Sequence, residues 1–238
     1  RSDKIMDHGK PIIYVKNVRK VYRMGDEEVV ALKRINLRIY KGEVCCIFGT
    51  SGSGKSTLLN QLAGMEKPTK GQVFIRGKNI SDMNEEELAA FRQEHMSFIF
   101  QSYNLLPSMT AVENVAMPLM FKGMDRKKRE AMAEEMLKRV GLSHRLHHYP
   151  SQMSGGQQQR AGIARAFVSR PEVVFADEPT GNLDTKTTAE IMDMVMGFAR
   201  RFNQTIILVT HDPGMSRYAD RIVTLVDGII TGDERKGQ

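Results

Sequence analysis

The sequence is poor in cysteine, long apolar runs and repeats, and each shortage removes a class of protein. Two cysteines in 238 residues cannot build the disulfide framework of a small secreted domain. Cys45 and Cys46 are neighbours in an apolar run. Adjacent side chains of a strand point to opposite faces, so a bridge between these two is strained and both read as small buried hydrophobes. The longest apolar stretches, "TIILVT" and "VVFA", fall far short of the roughly 20 residues a membrane-spanning helix needs. No basic, then apolar, then small-residue signal precedes the first strand pattern "PIIYV", which predicts a cytosolic location. Residues 1–10, opening on Arg1 with Met6 soon after, are read as an extension or a processing remnant and carry no functional argument. There is no internal repeat and no low-complexity segment, and the tail "GDERKGQ" reads as merely polar.

What is present is an ordinary water-soluble composition: 41% hydrophobic, 26% charged, mean hydropathy −0.37. A chain of this length accommodates one large domain, here placed over 11–238, or one core with a smaller lobe. The net charge of +7 and pI near 9.4 favour anionic company (nucleotide, nucleic acid or lipid headgroup) without choosing among them. The densest basic run, "RKKR" at 126–129, opens an amphipathic helix and reads as a solvated face.

Alternating apolar and polar residues in "IIYVKNVRKVY", "VVALKRINLRIY" and "GQVFIRG" predict half-buried antiparallel strands in the N-terminal third. "GEVCCIFG", "MSFIFQ", "EVVFADEP" and "QTIILVTH" are instead continuous apolar runs, as expected of parallel strands covered on both faces. Helical patterns such as "KSTLLNQLAGM", "NEEELAAFRQEH" and "TAEIMDMVMGFARRFN" separate them, which argues an α/β fold. Residues 102–170 carry no strand pattern, only helices broken by Pro107, Pro118, Pro150 and Pro171, and are read as a helical subdomain inserted into the α/β core. Methionines are frequent, and Met109, Met117, Met120 and Met124 in this lobe are expected in its core, the alternative being an adaptable groove for a partner's helix. His144, His147 and His148 lack a cysteine or acidic companion and read as a solvated loop.

"GTSGSGKST" at 49–57 follows an apolar strand and precedes a helix, and it fits G-x-x-x-x-G-K-[ST] with Gly49, Gly54, Lys55 and Ser56 at the fixed positions. Gly49, Gly52 and Gly54 let the backbone curl so that the N–H groups of Thr50, Ser51, Ser53 and their neighbours form an anion nest, to which the helix start adds its positive end. Such a loop suits a phosphate chain. Lys55 would reach the β- and γ-phosphates, and the Ser56 hydroxyl, followed by Thr57, would ligate Mg²⁺. "VVFADE" at 173–178 ends a buried strand with Asp177, placed to hold the magnesium, and Glu178, placed to polarise an attacking water. "MSGGQQQR" at 153–160 then offers a second anion-receptive helix start, which one nucleotide does not need.

"SGGQ", Ser154 to Gln157 with Gly155 and Gly156 between, resembles the signature of the ATP-binding cassette (ABC) ATPases, and the resemblance extends over nearly the whole chain. It implies a P-loop NTPase core with an N-terminal antiparallel β subdomain and an inserted helical subdomain. Tyr22 resembles the aromatic residue that stacks on adenine, and Gln101 in "FIFQS" the glutamine that touches magnesium and senses a membrane partner. Asp184 in "GNLD" resembles the aspartate at the dimer seam, and His211 in "VTHD" the switch histidine that holds the γ-phosphate and the water. Met153 stands where leucine is commoner, a conservative change. The family implies a head-to-tail dimer in which ATP lies between one subunit's phosphate loop and the other's Ser154. "QSYNLLPSMTAVENVAMPL" with "DEPTGNLD" is similar to the lipoprotein-release, macrolide-export, cell-division and peptide-resistance subfamily.

The expected activity is therefore ATP hydrolysis with Mg²⁺, by a subunit peripheral to the cytoplasmic face of a membrane. Its expected partners are a separate transmembrane permease and a second ATPase subunit, in the simplest case another copy of the chain. A soluble cassette acting on ribosomes or DNA is the alternative. Such proteins usually carry two cassettes or a long coiled-coil insertion, neither of which is here, so no nucleic-acid partner is expected. A non-hydrolysing structural subunit would require a lost catalytic group, and none is lost.

Overall fold

Two kinds of strand pattern fold into two sheets. The computed structural model describes residues 9–236, so most of the segment read as an N-terminal extension lies outside the described residues. In chain order the elements are β1 (Ile13–Met24), β2 (Glu27–Ile39), β3 (Val44–Phe48), α1 (Lys55–Leu62), β4 (Lys70–Ile75), β5 (Lys78–Asn79), α2 (Glu85–His95), β6 (Met96–Phe100), α3 (Ala111–Phe121), α4 (Arg126–Arg139), α5 (Gly155–Val168), β7 (Val173–Asp177), α6 (Thr185–Arg201), β8 (Thr205–Thr210), β9 (Arg221–Val226) and β10 (Ile229–Arg235).

The alternating segments form a four-stranded antiparallel sheet, order β2-β1-β4-β5. Ile13 pairs with Ile39 and with Ile75, and these residues are fully buried together with Val15, Val18 and Val73. The continuous apolar runs form the larger sheet, order β10-β9-β3-β8-β7-β6, parallel from β9 to β6. Alternate residues of its strands serve two separate cores. Cys46, Val174, Ala176, Ile206 and Leu208 face α3 to α6, whereas Cys45, Ile47, Val173, Phe175, Ile207 and Val209 face α1 and the antiparallel sheet. The two cysteines are therefore free and turned to opposite cores, and burial pushes both thiols well up. Being covered on both faces explains why these strands lack polar alternation.

Between β6 and β7 the chain is helical. Asn114, fully buried in α3, donates to the carbonyls of Leu106, Met109 and Thr110 at 3.0–3.1 Å and accepts from Leu106 N at 2.8 Å, which secures the loop leading into the helix. The N–H groups of Ala111 and Val112, orphaned by their place in the first turn, donate to His148 O and Leu146 O at 2.9 and 3.0 Å.

Three expectations are corrected. Pro118 does not break a helix but sits inside α3, at the cost of one intrahelical donor. Met124 packs against the core of the helical lobe as expected, but Met109, Met117 and Met120 line a shallow groove between α3 and α4 instead, Met120 being 39% exposed. The tail is not merely polar, because residues 229–235 pair with β9 as an antiparallel hairpin. That hairpin is pinned by Arg221, whose guanidinium makes two 2.6 Å bonds to Asp233 and a third to Arg38 O, with Glu43 at 3.4 Å.

Candidate functional site

The phosphate-loop segment turns from the carboxyl end of β3 into α1. Gly54 occupies the position before the helix with φ +101°, a left-handed conformation, and a Cβ there would stand 2.8 Å from Ala31 O. Only glycine meets both conditions. Lys55 is 8% exposed and its ammonium donates to Thr50 O at 2.7 Å, while Ser53 N closes on Thr50 O at 3.2 Å. The loop is thus wound around the lysine. The Ser53 hydroxyl is buried with no partner among the described residues.

Asp177 ends β7 between Phe100 of β6 and Val209 of β8. Burial, with Glu178 adding to it and Lys55 opposing, holds its carboxyl above the usual aspartate range. Glu178 follows in the left-handed region, φ +45°. Its N–H is bound to Val209 O at 2.9 Å, and its side chain reaches the end of β8. There Oε2 accepts from the Thr210 hydroxyl at 3.0 Å, and Oε1 accepts from His211 N at 2.9 Å and from His211 Nδ1 at 2.6 Å. A carboxylate acceptor at Nδ1 fixes the proton on that nitrogen.

These parts converge. Thr50, Ser51, Gly52, Gly54, Lys55, Ser56, Thr57, Asp177, Glu178 and His211 line a single cleft of about 760 Å³ at the carboxyl end of the parallel strands, where α/β sheets bind their ligands. The remaining wall comes from residues the sequence reading missed: Val29, Val30, Ala31 and Lys33 of β2, and the Asp227–Gly228 turn of the C-terminal hairpin. Asp227 and Gly228 both have positive φ, +47° and +72°, as a two-residue hairpin turn requires. The turn has a local sequence signal, "DG" between two apolar segments.

Other predicted residues lie outside this cleft. Tyr22 is half-buried on β1, its hydroxyl 2.7 Å from Glu66 Oε2 and the Lys20 ammonium 5.1 Å above its ring. Burial first and Glu66 second raise its pKa, and the neighbouring Thr57 side chain lowers it, so the ring lies beside the start of α1. Gln101 is exposed and exchanges 3.2 Å bonds with Asn182, side chain to side chain and side chain to backbone. Ser154 caps α5: its Oγ accepts from Gln157 N at 3.2 Å while Gln157 Oε1 accepts from Ser154 N at 3.0 Å, a capping box. Gly155 has the Tyr103 hydroxyl, and Gly156 the Thr187 methyl, where a Cβ would stand. Asp184 caps α6, accepting from Thr187 N at 3.0 Å and Oγ1 at 2.6 Å, bonds that hold its carboxyl below the usual range. The starts of α5 and α6 therefore meet at one surface, apart from the cleft. Buried Gln159 links that surface to the Asp-Glu loop by donating to Pro179 O.

Comparison with known proteins agrees with this geometry. Residues 32–181 match the family described as ABC transporter. The chain is 48% identical to an uncharacterized ABC transporter ATP-binding protein of Methanocaldococcus jannaschii over 92% of its own length and 97% of that protein's. It is 47% identical to the macrolide export ATP-binding/permease protein MacB of a Shewanella species, over 94% of its length but only 34% of MacB. Its structure superposes with a TM-score of 0.87, at 42% identity and covering 94% and 98% of the two chains, on a dimeric post-hydrolysis ATP-binding cassette bound to ADP and phosphate. The chain belongs to the ABC transporter family, as one of its ATP-binding cassettes.

Proposed function

We propose that this cassette binds ATP in the cleft between the phosphate loop and β7–β8 and hydrolyses it, as the engine of a membrane transporter. The observation that carries the reading is the convergence of Lys55, Asp177, Glu178 and His211 on one cleft. The curled loop presents N–H groups to the phosphates, and Lys55 exchanges its bond to Thr50 O for phosphate oxygens. Glu178 takes the proton of the attacking water. The Glu178–Nδ1 bond leaves His211 Nε2 as the nitrogen available to the γ-phosphate.

The cleft fits Mg²⁺. Ser56 and Asp177 both line it, and Asp177 is a carboxylate whose charge is poorly compensated by the protein. No group of three or more His, Cys, Asp or Glu forms a cage among the described residues, which suits an ion that takes most of its ligands from phosphate and water. Bound there, the ion would supply positive charge to offset that of the phosphates. Gln101, bonded to Asn182 through its Nε2, would join it through Oε1.

Ser154, Gly155, Gly156 and Gln157 lie outside their own chain's cleft, which supports a head-to-tail dimer in which they close on the partner's ATP. The cassette to which this chain is similar is itself dimeric and bound to ADP and phosphate, which supports dimerisation. The permease is read as a separate transmembrane chain, with this cassette peripheral to the cytoplasmic face of the membrane. No helix of the described residues is long and apolar enough to cross a membrane, and a relative of matching length is described as an ABC transporter ATP-binding protein. Steady-state phosphate release by the purified chain tests the reading. MgATP-dependent turnover lost in Lys55→Ala is the expected result, and absence of turnover with and without membrane partners would overturn it.

A further inference from the structure

We infer that Gly228, at the tip of the C-terminal hairpin, is a positioning residue of the phosphate loop: its N–H fixes the Ser53–Gly54 peptide in the orientation that an anion requires. The inference rests on the ATP reading of the same cleft. Gly228 N donates to Ser53 O at 2.9 Å, and Gly228 O accepts from Lys33 N at 3.0 Å. The turn is therefore clasped between the phosphate loop and β2.

A trans peptide is planar, with its C=O and N–H antiparallel. Holding Ser53 O against Gly228 forces the Gly54 N–H to point away from the hairpin. No acceptor among the described residues takes that N–H, so it remains for a ligand, as the nest geometry demands. Released from Gly228, the 53–54 peptide could flip and present a carbonyl oxygen to the phosphates, which would repel them.

Space enforces the clasp. A Cβ on Gly228 would collide with the Ala31 carbonyl and stand 3.1 Å from Leu32 Cα, and φ +72° already disfavours any side chain. A Cβ on Gly49 would collide with Leu225 O and with the Ser53 hydroxyl. At Gly228 the hairpin thus meets β2 through backbone. At its other end the hairpin is held by the Arg221–Asp233 fork, so its tip is a rigid stop.

The test is amide hydrogen exchange on the unmodified chain with and without MgADP, joined to ADP affinity for Gly228→Ala and for Gly232→Ala, a control on the same hairpin. Protection gained together by 49–57 and 226–229 supports the inference. So does a dissociation constant raised about tenfold in Gly228→Ala, the loss of one charge-assisted hydrogen bond, with Gly232→Ala near the unmodified value. Protection at 49–57 without any at 226–229 would overturn it and leave the ATP reading standing, as would unchanged affinity in Gly228→Ala. No protection at 49–57 would overturn both. Should Gly228→Ala not fold, the exchange experiment alone decides.

Discussion

Glu178 holds His211 at two points, its Oε1 accepting from the histidine backbone N–H at 2.9 Å and from Nδ1 at 2.6 Å. The proposed general base and the proposed γ-phosphate sensor are therefore one unit, and Glu178 is already oriented by the end of β8. Glu178→Gln preserves an acceptor oxygen for His211 but removes the basicity. Turnover should fall by about 10²–10⁴-fold with ATP affinity nearly unchanged, read by phosphate release and equilibrium binding. Turnover within a fewfold of the unmodified chain would remove Glu178 from the base role.

Head-to-tail assembly makes a prediction about mixtures. Lys55→Ala should lose ATP affinity, and Ser154→Ala should keep ATP binding but not ATP-driven dimerisation, besides costing about 1 kcal/mol of stability as a lost cap. Mixing the two variants gives one composite site with both an intact Lys55 and an intact Ser154. ATP-dependent heterodimers, detected by light scattering, should form from the mixture although neither variant dimerises alone. A mixture that stays monomeric would argue against the trans role of Ser154.

Asp177 gives a pH signature. Its carboxyl is raised by burial and by Glu178, so its ionisation opposes folding: the stability it contributes is full below the ordinary aspartate pKa of about 3.9 and is lost as pH rises through the raised value. Asp177→Asn should then melt higher than the unmodified chain at pH 7 without nucleotide. The gain should shrink to nothing as pH falls below the aspartate range, while Mg²⁺-dependent turnover is lost at every pH. A lower melting temperature at pH 7 would contradict the assignment.

Arg221 is 7% exposed and its removal leaves buried Glu43, 8% exposed, with Arg235 at 3.3 Å as its remaining charged partner beside the Tyr40 N–H at 2.8 Å. Arg221→Leu should cost about 3 kcal/mol, measured by urea unfolding.

The sequence by itself determined the two sheets, the helical stretch between β6 and β7, and most of the cleft. Period-2 alternation, doubly buried strands and the glycine spacing of 49–57 are local patterns, dictated by which faces of a strand meet water and where a backbone must curl. It also placed Ser154 at a helix start, because capping is chemistry within four residues. Tertiary structure alone decided that Glu178 bonds His211 across 33 residues, that Gln101 is held by Asn182, and that Val29, Lys33 and Gly228 complete the wall of the cleft. These are meetings between strand ends distant in sequence, set by sheet order, and no periodicity encodes them. The hairpin of 221–235 was hidden for a related reason: its outer strand is an edge with few buried side chains. An edge strand is made by pairing its backbone with a neighbour, and that leaves little trace in the pattern of its residues.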